Sequence, residues 1–191
     1  RCAVDPLAVY SALRPTGACA LHESADLHED PALCSMQRSI LVPRALLRFE
    51  LRAEELTIRL VDESARPFLA RLVEDEGYEA HAEDKDALRA RAPIEARDQL
   101  LDDEERLRGD PALAALRRFS QLIVDARGSD ASMAAGAFGA LAYDFVDRFE
   151  ELPPRRDEDA VGDPDAVFVL ASDALVFSPA LGEVEVITRG L

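Results

Sequence analysis

Tryptophan is absent from the chain, and aromatic residues make up only 6% of it. Leucine, valine and alanine must therefore build most of any core. Lysine occurs once, as Lys85. The other basic residues, histidines aside, are arginine, a bias that fits a GC-rich genome better than a chemical role. Positive charge is scarce: 22 lysines and arginines face 38 aspartates and glutamates, for a net charge of −16. This argues against a nucleic acid partner, because phosphate binding needs a basic stripe and counterion release. It also disfavours an anionic membrane surface. Cys2, Cys19 and Cys34 show no metal-ligand spacing and cannot form an even disulfide set. They read as buried, reduced thiols of a cytoplasmic protein. No apolar run approaches the roughly 18–20 residues of a membrane span, and no signal peptide is visible. The chain opens on Arg1 rather than Met, so a trimmed N-terminus is expected.

What is present is ordinary for a globular protein: 48% hydrophobic and 31% charged residues. With 191 residues, the chain can bury roughly 70% of its unfolded surface without staples. One domain over residues 1–191 is expected.

Asp5-Pro6 opens a first helix, since Asp can cap free N–H groups and Pro fits the first turn. Leu7, Tyr10 and Leu13 follow at helical spacing, and Pro15-Thr16-Gly17 stops it. Ala18 to Leu21 reads as a short buried strand delivering His22-Glu23-Ser24 at its end. Leu47, Phe49 and Leu51, then Leu56, Ile58 and Leu60, alternate with polar residues at period two. The Arg52-Ala53-Glu54-Glu55 link makes them a hairpin. Ala65 to Val73 looks helical. Residues 74–110 interleave charges of both signs and read as a solvated loop with short helical turns. Asp110-Pro111 repeats the capping signal before a helix carrying Leu113, Leu116, Phe119, Leu122 and Ile123, closed by Gly128. Residues 134–143 read as a strand and 144–150 as a short helix, because Gly136 and Gly139 disfavour a helix. Three more strands follow at 166–171, 174–177 and 183–188. Hairpin-length links predict an α+β fold, its mainly antiparallel sheet packed with helices.

Local chemistry is sparse. His22, His28 and His81 are the only histidines. His22 and His28 are six apart in a predicted loop, not at a helical metal-binding spacing. Asp157, Glu158, Asp159, Asp163 and Asp165 fail the EF-hand pattern, because Val161 stands where an oxygen ligand belongs and no glutamate closes the loop. Ser24 lacks a G-x-S-x-G elbow. Gly136 and Gly139 lack the third glycine of a dinucleotide fingerprint.

Several patches together carry more than any one does. They are Leu21-His22-Glu23-Ser24-Ala25-Asp26, then Leu100-Leu101-Asp102-Asp103-Glu104-Glu105, then Gly139-Ala140-Leu141-Ala142-Tyr143-Asp144. Phe149-Glu150-Glu151-Leu152-Pro153 and Pro164-Asp165 follow. In this order they resemble the N-terminal region of anthranilate synthase component I. That region carries a Leu-Leu-Glu-Ser-Ala strand end, a Leu-Leu-Asp-Glu run before a long helix, a Gly-x-x-x-Tyr-Asp segment, a Phe-Glu-x-Leu-Pro stretch and a Pro-Asp strand. The likeness covers nearly the whole chain.

The resemblance implies the N-terminal portion of the larger chorismate-utilising enzyme fold. In that family the whole enzyme converts chorismate and ammonia, supplied from glutamine by an amidotransferase subunit, to anthranilate and pyruvate. Tryptophan inhibits it. Glu23, Ser24 and Ala25 would be counterparts of the element lining the tryptophan pocket. A carboxylate and a hydroxyl suit an amino acid's ammonium group. Two departures bear on that pocket: His22 replaces a leucine, and Cys34 stands near an expected basic residue, for which Arg38 is the nearest substitute. The Mg²⁺ glutamates and chorismate-binding groups belong to a C-terminal domain that these residues do not resemble. No catalytic residue, no metal ligand and no cofactor is therefore assigned within this chain, and it is expected to be inactive alone. Chorismate is a dianion and an unpromising ligand for so acidic a domain unless arginines cluster locally. The same domain of aminodeoxychorismate, isochorismate or salicylate synthase remains an alternative, as does a free-standing amino-acid-sensing domain.

Overall fold

Asp5 accepts a hydrogen bond from the Leu7 N–H at 3.0 Å, and Pro6 follows it, so helix α1 begins at Pro6 and runs to Leu13. A computed structural model describes residues 4–14, 20–23, 38–74, 79–80, 84–94, 107–127, 136–150, 162–178 and 181–187. After α1 come β1 (Ala20–Glu23), β2 (Ser39–Val42), β3 (Leu47–Arg52), β4 (Glu55–Leu60), α2 (Arg66–Glu74), β5 (Glu79–Ala80) and β6 (Ala87–Arg91). Helix α3 (Pro111–Arg127), β7 (Gly136–Leu141), β8 (Ala166–Ala171), β9 (Ala174–Ser178) and β10 (Glu183–Ile187) complete the order.

The strands form two sheets, β1-β2-β9-β10 and β5-β6-β4-β3-β8-β7, and every described pairing is antiparallel. The fold is α+β with antiparallel sheets packed with helices, as the sequence pattern implies. Period-two alternation puts Leu47, Phe49 and Leu51 on the inner face of the six-stranded sheet, beside Leu56, Ile58, Leu88 and Leu170. Helix α2 adds Phe68, Leu69 and Leu72, and α3 adds Ala112, Ala115, Phe119 and Leu122. Phe49 lies 5.5 Å from Phe119 and 6.3 Å from Phe168, centroid to centroid. Burying side chains of this size contributes roughly 1.5–3 kcal/mol each relative to exposure.

The opposite face of β7 and β8 meets the four-stranded sheet. There Val42 and Ala45 pack with Val169 and Ala171, and Ala20 and Phe138 close the cluster. Only Ser172 and Asp173 separate β8 from β9, so one tight corner carries the chain between sheets. At Gly139 a Cβ would lie 2.0 Å from the Val167 carbonyl oxygen and 2.6 Å from Phe168 Cα, so β7 can sit this close only with glycine there.

Four expectations need correction. Strand β1, described over Ala20–Glu23, runs to Glu23 rather than stopping at Leu21, so His22 and Glu23 are strand residues, not residues past its end. The supposed solvated loop after residue 74 contains β5 and β6. Ala87 and Leu88 are buried, and Leu88 and Ala90 alternate with Arg89 and Arg91. That is again period two, obscured by arginine heads that can reach water. Strand β7 ends at Leu141, and the following α-helix is instead a 3₁₀ helix, Tyr143–Arg148. In a 3₁₀ helix residues three apart eclipse, which places Arg148 beside buried Phe145, with its guanidinium carbon 6.0 Å from that ring.

Candidate effector site at the end of the four-stranded sheet

Strand β1 delivers Glu23 directly opposite Ser39 of β2. Ser39 is in turn opposite Phe177 of β9, and Phe177 is opposite Val184 of β10. A row across a pleated sheet points to one face, so carboxylate, hydroxyl and aromatic ring share that face. Opposed Cβ atoms in such pairs are about 4.5–5.5 Å apart. Glu23 is exposed, whereas Ser39 and Phe177 are buried. Arg38 immediately precedes Ser39 and is exposed. The structure thus gathers an acid, a buried hydroxyl and a nearby base at one sheet end, over an apolar floor.

Ser24 and Ala25 lie outside the described residues, as do His28, His81, the three cysteines, the run 100–105 and the acidic residues 157–159. Ser39 and Phe177 were not singled out by sequence reasoning. Only the register puts them beside Glu23, and register between strands this far apart in the chain is not written in either strand. His22 occupies the next row, facing the other way, with its ring 5.9 Å from Phe138. It packs against the six-stranded sheet instead of lining the Glu23 face. Among the described residues, no group of three or more His, Cys, Asp or Glu side chains is placed to hold a metal ion.

A cleft of about 370 Å³ lies elsewhere, lined by Arg52, Ile94, Asp144, Phe145, Arg148 and Asp163 among others. Several of the polar groups in and around it have structural work. Arg148 donates from Nε to Asp110 Oδ2 (3.1 Å), from Nη1 to the Ala53 carbonyl (3.2 Å), and from Nη2 to the Ala92 (2.9 Å) and Pro93 (3.3 Å) carbonyls. Asp110 meanwhile caps α3 by accepting from Leu113 N–H at 2.9 Å. Asp165 accepts from Ala53 N–H at 2.5 Å, fixing the β3–β4 turn where Ala53 has φ of 50°. Asp165 therefore serves the hairpin.

Arginines do cluster locally. Arg48, Arg52, Arg59, Arg89 and Arg91 share the outer face of the six-stranded sheet. Most are answered by acids of the same chain. Arg48 and Arg52 both bind Glu50, Arg59 pairs with Asp84 at 3.3 Å, and Arg91 pairs with Glu54 at 2.8 Å. Burial opposes ionisation of Glu50, but hydrogen bonds from Arg52 and Arg48, with their charges, outweigh it and hold the carboxyl below its ordinary range. This face is largely self-neutralised rather than open for a dianion. The chain matches no protein-family model and no curated protein. No described helix is long and apolar enough to cross a membrane.

Proposed function

We propose that this chain is the regulatory N-terminal part of a cytoplasmic anthranilate synthase component I, and that the end of β1 forms part of its tryptophan-binding pocket. The observation supporting this most is the pairing of Glu23 with Ser39, which sets a hydroxyl beside the Glu23 carboxylate. An α-ammonium group would be held by the Glu23 carboxylate and the hydroxyls of Ser24 and Ser39. Such charge-assisted bonds are roughly twice as strong as neutral ones. Phe177 would give the effector's indole an apolar wall.

Inhibition then follows from linkage. An effector that binds one arrangement of two domains better shifts the enzyme toward it. The chorismate-binding domain and the glutamine amidotransferase subunit are the partners this reading requires. Val4 and Leu7 remain about half exposed near α1, and they offer apolar surface to such a domain. By itself the chain is expected to self-associate when concentrated and to form no anthranilate.

Calorimetric titration with L-tryptophan, using L-phenylalanine as control, tests the reading. Selective heat is expected, lost in Ser24→Ala and weakened about 10- to 100-fold in Glu23→Gln, the range for a hydrogen bond to a charged group. Absence of selective heat would remove the pocket from this domain. Conversion of chorismate with ammonia and Mg²⁺ by this chain alone would overturn the assignment as a regulatory part.

A further inference from the structure

Among the described residues, strand β10 is the outer strand of its sheet and pairs with β9 on one side only. Glu183, Val184, Glu185 and Val186 are all exposed, Val186 by 64%. An edge strand offers unpaired backbone N–H and C=O groups, and natural edges are usually blunted by lysine, proline, a bulge or a covering element. β10 has no lysine and no proline, its register with β9 is unbroken from Glu183 to Ile187, and the charges that guard it are Glu183 and Glu185 alone, which repel acidic strands but not basic ones. Its side chains sort by face. Glu183 and Glu185 point one way, and Val184 and Val186 point the other, continuing the row that holds Phe177 and Leu175.

We propose that β10 receives an antiparallel strand from a partner protein, one in which basic residues alternate with aliphatic ones. Backbone pairing would supply the ladder, as in recognition by strand addition. Basic side chains would oppose Glu183 and Glu185, and aliphatic ones would extend the Val184–Val186 face. Opposite charges facing across strands are favourable and like charges are not. The same rule disfavours a second copy as occupant. An antiparallel pairing that uses all of β10 is centred on Glu185 and sets that carboxylate against its own equivalent. The proposal stands apart from the tryptophan reading, since the two are scored with different ligands.

The test uses the whole chain and a fluorescent nine-residue peptide alternating lysine and valine, followed by anisotropy. Saturable binding is expected. It should fall at least about tenfold in the Glu183→Lys/Glu185→Lys variant, which should instead take a peptide alternating glutamate and valine. Both substituted positions are exposed, and an unchanged far-UV circular dichroism spectrum verifies the fold. A peptide of the same sequence but N-methylated at two adjacent central residues, one of whose N–H groups must face β10, cannot complete the ladder and should bind at least about tenfold more weakly. Equal binding of the N-methylated peptide would reduce the effect to net charge and overturn the proposal, with no variant needed. A stable dimer through β10 that the peptide fails to displace would overturn it as well, assigning the edge to a second copy.

Discussion

Replacing Arg148 by alanine should destabilise the chain more than any surface charge change. Its side chain is 3% exposed and that of its partner Asp110 is 9% exposed. Removing one member of such a pair leaves a buried charge without compensation, at a cost of about 3–5 kcal/mol. Carbonyls of Ala53, Ala92 and Pro93 lose their donor too, so the upper end of that range is expected. Against a typical total stability of about 5–15 kcal/mol, the loss is large. With a urea slope of about 2 kcal/mol per molar, the midpoint should drop by about 1.5–2.5 M. Far-UV circular dichroism is the suitable probe, because the chain has no tryptophan. Asp110→Asn separates the roles: asparagine caps a helix as well as aspartate does, so any loss there belongs to the ion pair. Arg148→Lys keeps the charge but not the planar fork, and should fall between. A loss under about 1 kcal/mol in Arg148→Ala would refute the reasoning, because it would show that this site behaves like an exposed pair.

Gly139→Ala should cost about 1–3 kcal/mol or more, since its Cβ would meet backbone atoms of Val167 and Phe168; thermal melts would show it, and a neutral result would contradict the close β7–β8 approach. Ala53→Gly should raise stability by up to about 1 kcal/mol, because alanine at φ of 50° carries a left-handed penalty that glycine does not. Glu50, Asp62 and Glu63 are each held below their ordinary values: Glu50 against its burial by Arg52 and Arg48, Asp62 chiefly by Ser64, and Glu63 chiefly by Arg66. Their folded values being depressed, the stability they contribute is present above the unfolded values, 4.5 for the two glutamates and 3.8 for Asp62, and fades as pH falls through the lower folded ones. Urea unfolding measured between about pH 6 and 3 should show this decline, and Glu50→Gln should flatten it.

Much of the architecture could be read because local signals agreed with one another. Asp5-Pro6 and Asp110-Pro111 marked the starts of α1 and α3. The alternations through Leu47–Leu51 and Leu56–Leu60 marked the central hairpin, whose two strands each reach one residue further into the turn, to Arg52 and Glu55. Strand β6 escaped notice because Arg89 and Arg91 make its outer face look like loop. The 3₁₀ turn at Tyr143–Arg148 depends on where Arg148 finds its carbonyls, and those lie 55 to 95 residues away in the chain. The candidate site was half legible. Glu23 stood in a recognisable patch, but Ser39 and Phe177 joined it only through pairing between strands distant in sequence.

The corner at Ser172-Asp173 has a mechanical consequence. Consecutive Cα atoms are about 3.8 Å apart, so Ala171 and Ala174 can be separated by at most about 11 Å however the link is stretched. Ser172 is buried, and Arg44 ties Asp173 to Asp62 across the corner. The chain there has no slack. Any displacement of Phe177 along β9 is conveyed to β8 within a few residues, and β8 runs between β3 and β7 in the largest core. A small push at the exposed end of one sheet is thus geared directly into the packed centre of the other.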